Sequence, residues 1–484
     1  MGQSFGTKVV RGSLWTTLGL AGGRGLQFAG DLVLSRLLLP DDFGLMAIAL
    51  AVVVLTETIT DTGFGSAIIQ KEGDVVGYLN ETWTIEIIKS LILFGLVISL
   101  APFLADYYDD PRATPLISVL ALGLIFRGAR NPGALLIRKE LRMRQQFLID
   151  FLPQLLQMVF VISLAVIYRS VWVLAAGILV RRMAELGLSF MLHPYRPKFG
   201  FDLVKLKKLF KFGRWIFLTA ALSAIRAQYV VLFIGKAFGL NQLGFFNRAE
   251  LLSTYIFLLG SRIIWSVGYP AFAMVQNERA YVMRLLSDGI YYLVLFAAPL
   301  TTLIYIHGEA IVPWVLSDQW APSGVLAGQL ALVGLVALIN TIIAVFLQAT
   351  GSPQSVVLNQ VGGLILLVTG LSLVSSDYGM QGVIWILLFS GILVMLMGII
   401  KIGTISGNTA ILLTRILTLT AVLLGLDLWA IQYAATNFPI GATATGTVFI
   451  TITGMGLYVA AQVLHGKMSK SINHNPVCRI LRLL

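Results

Sequence analysis

Apolar runs of about 20 residues follow one another along almost the whole chain, and that length is what an α-helix needs to cross the hydrocarbon core of a bilayer. Inside lipid every backbone N–H and C=O has to be satisfied by protein, so such runs fold as helices packed on helices. The runs fall near 13–39, 44–67, 82–105, 114–136, 146–168, 171–191, 213–236, 248–272, 285–307, 323–348, 354–374, 380–401, 411–434 and 443–464. They predict an all-α integral membrane protein of about fourteen transmembrane helices. Only 12% of the 484 residues are charged, against about 25% in soluble domains. Lys8 and Arg11 ahead of the first run imitate a secretion signal, but the stretch from Ser13 to Leu39 is long and holds Arg24 and Asp31. It is expected to be an uncleaved first span.

The net charge of +12 would suit nucleic acid in a soluble protein. In a membrane protein, lysine and arginine gather in cytoplasmic loops, so no nucleic acid partner is expected. Asp41, Asp42, Asp106, Asp109, Asp110, Glu309, Asp318 and Asp377 mark the joints after odd-numbered spans. Arg138, Lys139, Arg142, Arg144, Arg196, Lys198, Lys205, Lys207, Lys208, Lys211 and Arg214 mark those after even-numbered spans. Both termini are therefore expected in the cytoplasm, and an even span count agrees. The single cysteine, Cys478, excludes an intrachain disulfide, and four scattered histidines give no metal-ligand spacing. No cofactor or metal is expected.

The longest basic joint divides the first twelve spans into six and six. The expected organisation is a lobe over 1–191, a connector over 192–212, a second lobe over 213–402, two further helices over 403–464 and a basic tail over 465–484. In the connector Lys205, Lys207, Lys208 and Lys211 alternate with Leu203, Leu206, Leu209 and Phe210. That pattern fits either a basic amphipathic helix on anionic lipid or a solvated connector. A shift of 200 residues aligns Trp15 with Trp215, Arg36 with Lys236, Asp41 with Asn241 and Gly44 with Gly244. Such a match is what a duplicated half would leave, although strict identity over 13–45 is confined to Trp15, Leu18, Ala21, Leu32 and Gly44.

An ionisable group at the bilayer centre costs about 2.5–3.5 kcal/mol on insertion scales, and this chain places many within its runs. Arg24, Gln27 and Asp31 share one face of the first span, Glu57 and Asp61 lie one turn apart in the second, and Glu86 and Lys89 sit in the third. Arg127 and Arg130 precede Asn131, Pro132 and Gly133 in the fourth. Asp150 follows in the fifth, Arg181, Arg182 and Glu185 in the sixth, then Arg226, Arg262 and Asp288. They must line a hydrated cavity or pair between helices. Arg24, Arg226 and Arg262 lie nearest mid-membrane. Arg127 and Arg130 could equally snorkel, and Arg181 or Arg182 could form a local pair with Glu185. Arginines in a wet cavity suit a phosphate, whose oxygens accept two parallel bonds from the planar guanidinium. Two carboxylates a turn apart raise at least one pKa, as a proton-coupled step at Glu57 and Asp61 would need, with Asp31 as a further acidic candidate. A neighbouring cation would instead neutralise them. No P-loop and no large outer loop is present, which argues against an ATP engine and against membrane polymerases or ligases.

The stretch "SRLLLPDDFGLMAIALAVVVLTETITDTGFGSAIIQKE", with "LGFFNRAELLSTY" and "VPWVLSDQWAPSG" further on, resembles bacterial polysaccharide flippases. These belong to the multidrug/oligosaccharidyl-lipid/polysaccharide (MOP) exporter superfamily, and the chain is most like their colanic-acid-exporter-like, Wzx-type branch. The turn "LPDDFGLMAIA" and the span end "DTGFGSAIIQ" are its most specific pieces. The resemblance implies two six-helix lobes around a central cavity with two helices appended. It also implies alternating-access movement of an undecaprenyl-diphosphate-linked oligosaccharide to the outer leaflet of the bacterial cytoplasmic membrane. As partners it implies that glycan lipid, membrane lipids, a proton or sodium ion and the polysaccharide polymerase machinery. The substrate-binding set expected from charge and depth is Arg24, Arg226, Arg262, Arg127, Arg130 and Arg181. The competing readings are an ion-coupled multidrug exporter of the same superfamily and an enzyme acting on the same lipid-linked glycan.

Overall fold

The computed structural model describes residues 22–60, 75–140, 142–373 and 378–406, together with Gly19, Phe64, Gly65 and Ile68. The predicted spans at 411–434 and 443–464 and the tail over 465–484 lie outside the described residues. Among the described residues there are helices and no strands. The helices are α1 (22–37), α2 (Pro40–Ile59), α3 (Leu79–Tyr108), α4 (Ala113–Gly128), α5 (Ala134–Lys139), α6 (Met143–Tyr168) and α7 (Val171–Leu192). They continue as α8 (Leu203–Ile263), α9 (Tyr269–Met274), α10 (Arg279–Val315), α11 (Ala321–Ala349), α12 (Pro353–Leu373) and α13 (Gly379–Ser406). Eight helical stretches among the described residues are long and apolar enough to cross a membrane, and the protein is a multi-span membrane protein. The 22-residue α7 is long enough as well, at about 1.5 Å per residue, but it carries Arg181, Arg182 and Glu185 in its middle.

The chain forms two compact units, Met1–Gly244 and Phe245–Leu484. In the first, α3 packs on α4, α6 on α7, and α4 on both α2 and α7. Leu45, Ala49, Val97, Ala101, Leu116, Ile117, Leu120 and Ala175 form its apolar core. In the second, α10 packs on α11 and α13 packs on both α11 and α12. Gly308 and Gly324 let the first pair of backbones meet: a Cβ on Gly308 would lie 2.5 Å from the Gly324 carbonyl oxygen. Close approach through small residues is how helices associate where lipid removes the hydrophobic drive.

Three local features differ from the helix limits read in the sequence. The fourth run breaks: α4 ends at Gly128, and Asn131, Pro132 and Gly133 turn the chain into the short α5. A proline disfavours the helical conformation of the residue before it. The connector holds a non-helical stretch from His193 to Asp202, and α8 then begins at Leu203 and runs without interruption into the span predicted from 213. No proline or paired glycine stops it earlier. Within α8 the helix breaks at Gly239, at φ 84° and ψ 171°. That left-handed region is open to glycine at little cost.

Candidate functional site

The first unit gathers six charged side chains from three helices and one loop. Glu57 lies near the end of α2, Arg127 on the last turn of α4, and Arg130 just beyond it. Arg181, Arg182 and Glu185 lie on α7. Arg127 Nη1 donates to Glu57 Oε2, and Arg182 Nη2 approaches Glu57 Oε1 at 3.5 Å. On the other side Glu185 accepts from Arg181 Nε at 3.0 Å, from Arg130 Nη1 at 3.3 Å and from Arg182 Nη1 at 3.5 Å. Arg182 therefore joins the two carboxylates. The glutamates are the buried members, with side chains 10% and 9% exposed, while Arg127 and Arg181 are 41% and 43% exposed. Four guanidiniums around two carboxylates leave the set with a surplus of positive charge, and its most accessible groups are cations.

Local sequence fixes this geometry. The Asn131–Gly133 break lodges against the end of α7: the Asn131 N–H donates to Ser189 Oγ at 3.0 Å, and Asn131 Nδ2 donates to the Tyr195 carbonyl at 2.7 Å. Asn131 Oδ1 accepts from the Gly133 N–H at 2.9 Å. Gly133 is forced to be small, since a Cβ there would lie 2.3 Å from His193 Nδ1. The end of α4 is thereby pinned to α7, which brings Arg130 to Glu185 and Arg127 to the Glu57 carboxylate that Arg182 also reaches. The strap that follows α7 is tied to α3, where Asn80 Oδ1 accepts from Tyr195 Oη and from the Lys198 N–H, both at 2.8 Å. Outside the helices, burial holds the His193 pKa below its ordinary 6.5, against the opposing charge of Glu140. His193 Nδ1 accepts from the Tyr195 N–H at 3.2 Å.

Of the residues singled out in the sequence, Glu57, Arg127, Arg130 and Arg181 come together here. Arg24 reaches Gln27 at 3.5 Å on its own helix. Asp31 is half-buried on α1, where its backbone carbonyl accepts from Ser35 Oγ at 2.7 Å. Arg226 is half-buried in α8, and Arg262 is exposed on the last turn of α8. Asp61 lies outside the described residues. The local pairing of Arg181 and Arg182 with Glu185 that the sequence offers is present, whereas the reach of Arg182 to Glu57, 125 residues away, leaves no periodic signal in the sequence.

A family model described as "Polysaccharide biosynthesis protein" matches residues 33–325, more than half of the chain and all six members of the cluster. The chain belongs to this family. Among curated proteins it is similar to the succinoglycan biosynthesis transport protein ExoT of Rhizobium meliloti, at 23% identity over 67% of this chain and 66% of that protein. It is also similar to the teichuronic acid biosynthesis protein TuaB of Bacillus subtilis, at 21% identity over 69% of each chain. A third relative is the lipopolysaccharide biosynthesis protein WzxC of Escherichia coli, at 22% identity over 72% of this chain and 71% of that protein. The alignments thus span about two thirds of each curated relative. Among solved structures, an inward closed lipid II flippase MurJ matches with a TM-score of 0.72 at 12% identity, covering 94% of this chain and 99% of that one. An inward-facing MATE-family transporter of the MOP superfamily matches with a TM-score of 0.62 at 15% identity, over 83% and 100%. This member of the polysaccharide biosynthesis family thus shares the MurJ and MATE fold, as the resemblance implied.

Proposed function

We propose that the protein is a flippase that moves undecaprenyl-diphosphate-linked oligosaccharide repeat units from the cytoplasmic to the outer leaflet of the bacterial cytoplasmic membrane, for surface polysaccharide synthesis. Both termini are then cytoplasmic. The observation that carries the reading is the cluster around Glu57 and Glu185, in which accessible guanidiniums are held by buried carboxylates. A diphosphate offers the same paired oxygen geometry as those carboxylates, so it competes for the same arginine faces. The glycan occupies hydrated space, and the polyprenyl chain stays in lipid. Names of the relatives support the cargo class, since they are proteins of succinoglycan, teichuronic acid and lipopolysaccharide biosynthesis.

Turnover needs a difference in free energy between two conformations, because a cargo bound equally in both shifts nothing. Exchange of a carboxylate partner for a phosphate at Arg127 or Arg181 supplies one such difference. A proton or sodium ion taken up at the acidic residues supplies another. Arg24, Arg226 and Arg262 are further contact residues in this reading.

The test is the sidedness of lipid-linked repeat units in a deletion strain of the native organism. Complete units accumulating on the cytoplasmic face, relieved by the gene, support the flippase. Units that reach the outer face unpolymerised, or an unchanged distribution, overturn it. A joint Arg127→Ala, Arg181→Ala variant that transports fully at normal abundance overturns the role of the cluster.

A further inference from the structure

The pair of segments aligned by the 200-residue shift also meet each other. A Cβ placed on Gly44 would lie 2.0 Å from the carbonyl oxygen of Leu240, and one on Gly244 would lie 2.1 Å from the carbonyl oxygen of Pro40. Pro40 and Leu240 are themselves equivalent under the shift, as are the two glycines. The contact is thus reciprocal, with the symmetry of a local two-fold axis passing between the segments. Each segment also follows a helix break: Leu38 and Leu39 separate α1 from α2, and Gly239 interrupts α8. A second tether lies beside the crossing. Lys236 Nζ, the counterpart of Arg36, donates to the Tyr107 carbonyl at 2.5 Å and lies 3.3 Å from Asp109 Oδ2, while Tyr108 Oη donates to the Leu232 carbonyl at 3.1 Å.

We infer that the Gly44–Leu240 and Gly244–Pro40 crossing is a closure contact that parts and reforms in each transport cycle. Its chemistry suits repeated opening. The two carbonyls sit on first turns, where each already accepts a helical hydrogen bond from the N–H four residues later, the N–H of the glycine in its own segment. Separation of the two glycine–carbonyl contacts therefore strands no backbone hydrogen-bonding group and costs only van der Waals contact. The Lys236–Asp109 pair is exposed and contributes little to holding it shut. The symmetry means that one rotation about the local axis releases both contacts together, and the breaks before Pro40 and at Gly239 are where the chain can turn. Neither glycine tolerates a methyl, because the atom it would strike is backbone and cannot rotate away. On the orientation proposed above, this crossing lies at the extracytoplasmic end, and the inference rests on that reading.

The experiment uses the full chain in membranes of the native strain, with Cys478→Ser removing the natural thiol and Asp41→Cys with Asn241→Cys flanking the crossing. Both of these positions are exposed. A short bis-thiol reagent is expected to link them, and the linked protein is expected to lose export while protein labelled on either cysteine alone retains it. Adding Gly44→Ala or Gly244→Ala is expected to lower the linking yield about tenfold, and to similar extents, since overpacking disfavours the closed contact. Gly95→Ala serves as the control, because nothing lies within 4 Å of its added Cβ. Linked protein that exports normally overturns the inference, as do glycine variants that link like the Gly95→Ala control. Linking yield reads the protein and not its cargo. A glycine-dependent yield with no change in the sidedness of lipid-linked glycan in the deletion strain would therefore uphold the contact and remove the flippase reading.

Discussion

One region of the first unit gathers charge, and one region of the second lines a cavity with hydrocarbon. In the first, two glutamates about a tenth exposed hold four arginines from α4, the loop after it and α7. In the second, a cavity of about 440 Å³ is walled by side chains such as Phe257, Phe272, Tyr292, Phe296, Leu338 and Ile342. Beside it a π-helical turn, Ile264–Gly268, widens the end of α8. Both regions lie in apolar helices. What separates them is the cost of an error. A buried carboxylate without its cations is a charge out of water, whereas an imperfectly filled apolar wall loses only dispersion and transfer energy. The chemistry of the protein should therefore be sensitive to single atoms in the first region and tolerant in the second.

The largest expected effect tests that contrast directly. Glu185→Ala removes the acceptor shared by Arg130, Arg181 and Arg182, and because these arginines are 30%, 43% and 26% exposed, water keeps the cost below the roughly 3–5 kcal/mol of breaking a fully buried pair. Thermal unfolding of the purified protein should show a large loss of stability, together with lost export. A second substitution, Arg130→Met, should recover part of it by removing one stranded cation. A Glu185→Ala protein as stable as the parent would show that the cluster is solvated and not held.

Next comes Arg182→Lys, which keeps the charge and removes the planar fork that spans the two glutamates. A single ammonium cannot reproduce both contacts, so export is expected to fall by roughly tenfold, with a smaller stability loss of about 1–2 kcal/mol. Equal export by the lysine variant would reduce Arg182 to a counter-charge and break the argument that geometry matters there.

The glycine positions sharpen the comparison from the other side. Gly268→Ala places a Cβ in the second region at 3.7 Å from both Ile264 Cγ2 and Phe272 Cε2, which is ordinary contact. Alanine also restricts the unfolded chain, so a gain of about 0.5–1 kcal/mol is expected. The same methyl on Gly44 of the first unit meets a backbone carbonyl. Opposite signs for the two substitutions in thermal unfolding would confirm the difference between a yielding side-chain wall and a crossing of two backbones, and equal signs would remove it.

The helical membrane class was legible because a span needs continuous length and apolarity, and both are local properties. The acidic and basic joints were legible for the same reason. Glu57, Arg127, Arg130 and Arg181 were found by their cost in lipid, which any intramembrane charge announces. Glu185 was legible as a local partner of Arg181 and Arg182, but the reach of Arg127 and Arg182 to Glu57 was not, because it depends on the break at Asn131–Pro132–Gly133 and the packing of α4 on α7. The continuous helix from Leu203 escaped because its basic residues imitate a surface segment while nothing in its sequence stops the helix. The Gly44 and Gly244 match was visible as a repeat, yet its meaning needed coordinates: identity cannot reveal that the two copies touch.

The smallest effect concerns the turn between α3 and α4, outside the spans. Asp110 Oδ1 accepts from the Arg112 N–H at 2.9 Å, and Arg112 Nη2 donates to Asp110 Oδ2 at 2.7 Å. The hydrogen bonds from Arg112 hold the Asp110 pKa below its ordinary 3.8. A carboxylate depressed on folding stabilises the protein fully above its unfolded value, and the contribution is lost as pH falls through the lower folded value. Half of the Arg112 side chain is exposed, so solvent screening keeps the pair below about 1 kcal/mol. Asp110→Asn should therefore be slightly less stable than the parent at neutral pH, and the two should converge as pH falls below about 3.8. Melting curves across that range decide it. A difference that persists unchanged into strong acid would assign the loss to the turn's backbone hydrogen bonds, which do not titrate, and would leave the buried pairs of the first unit as the region where charge itself governs stability.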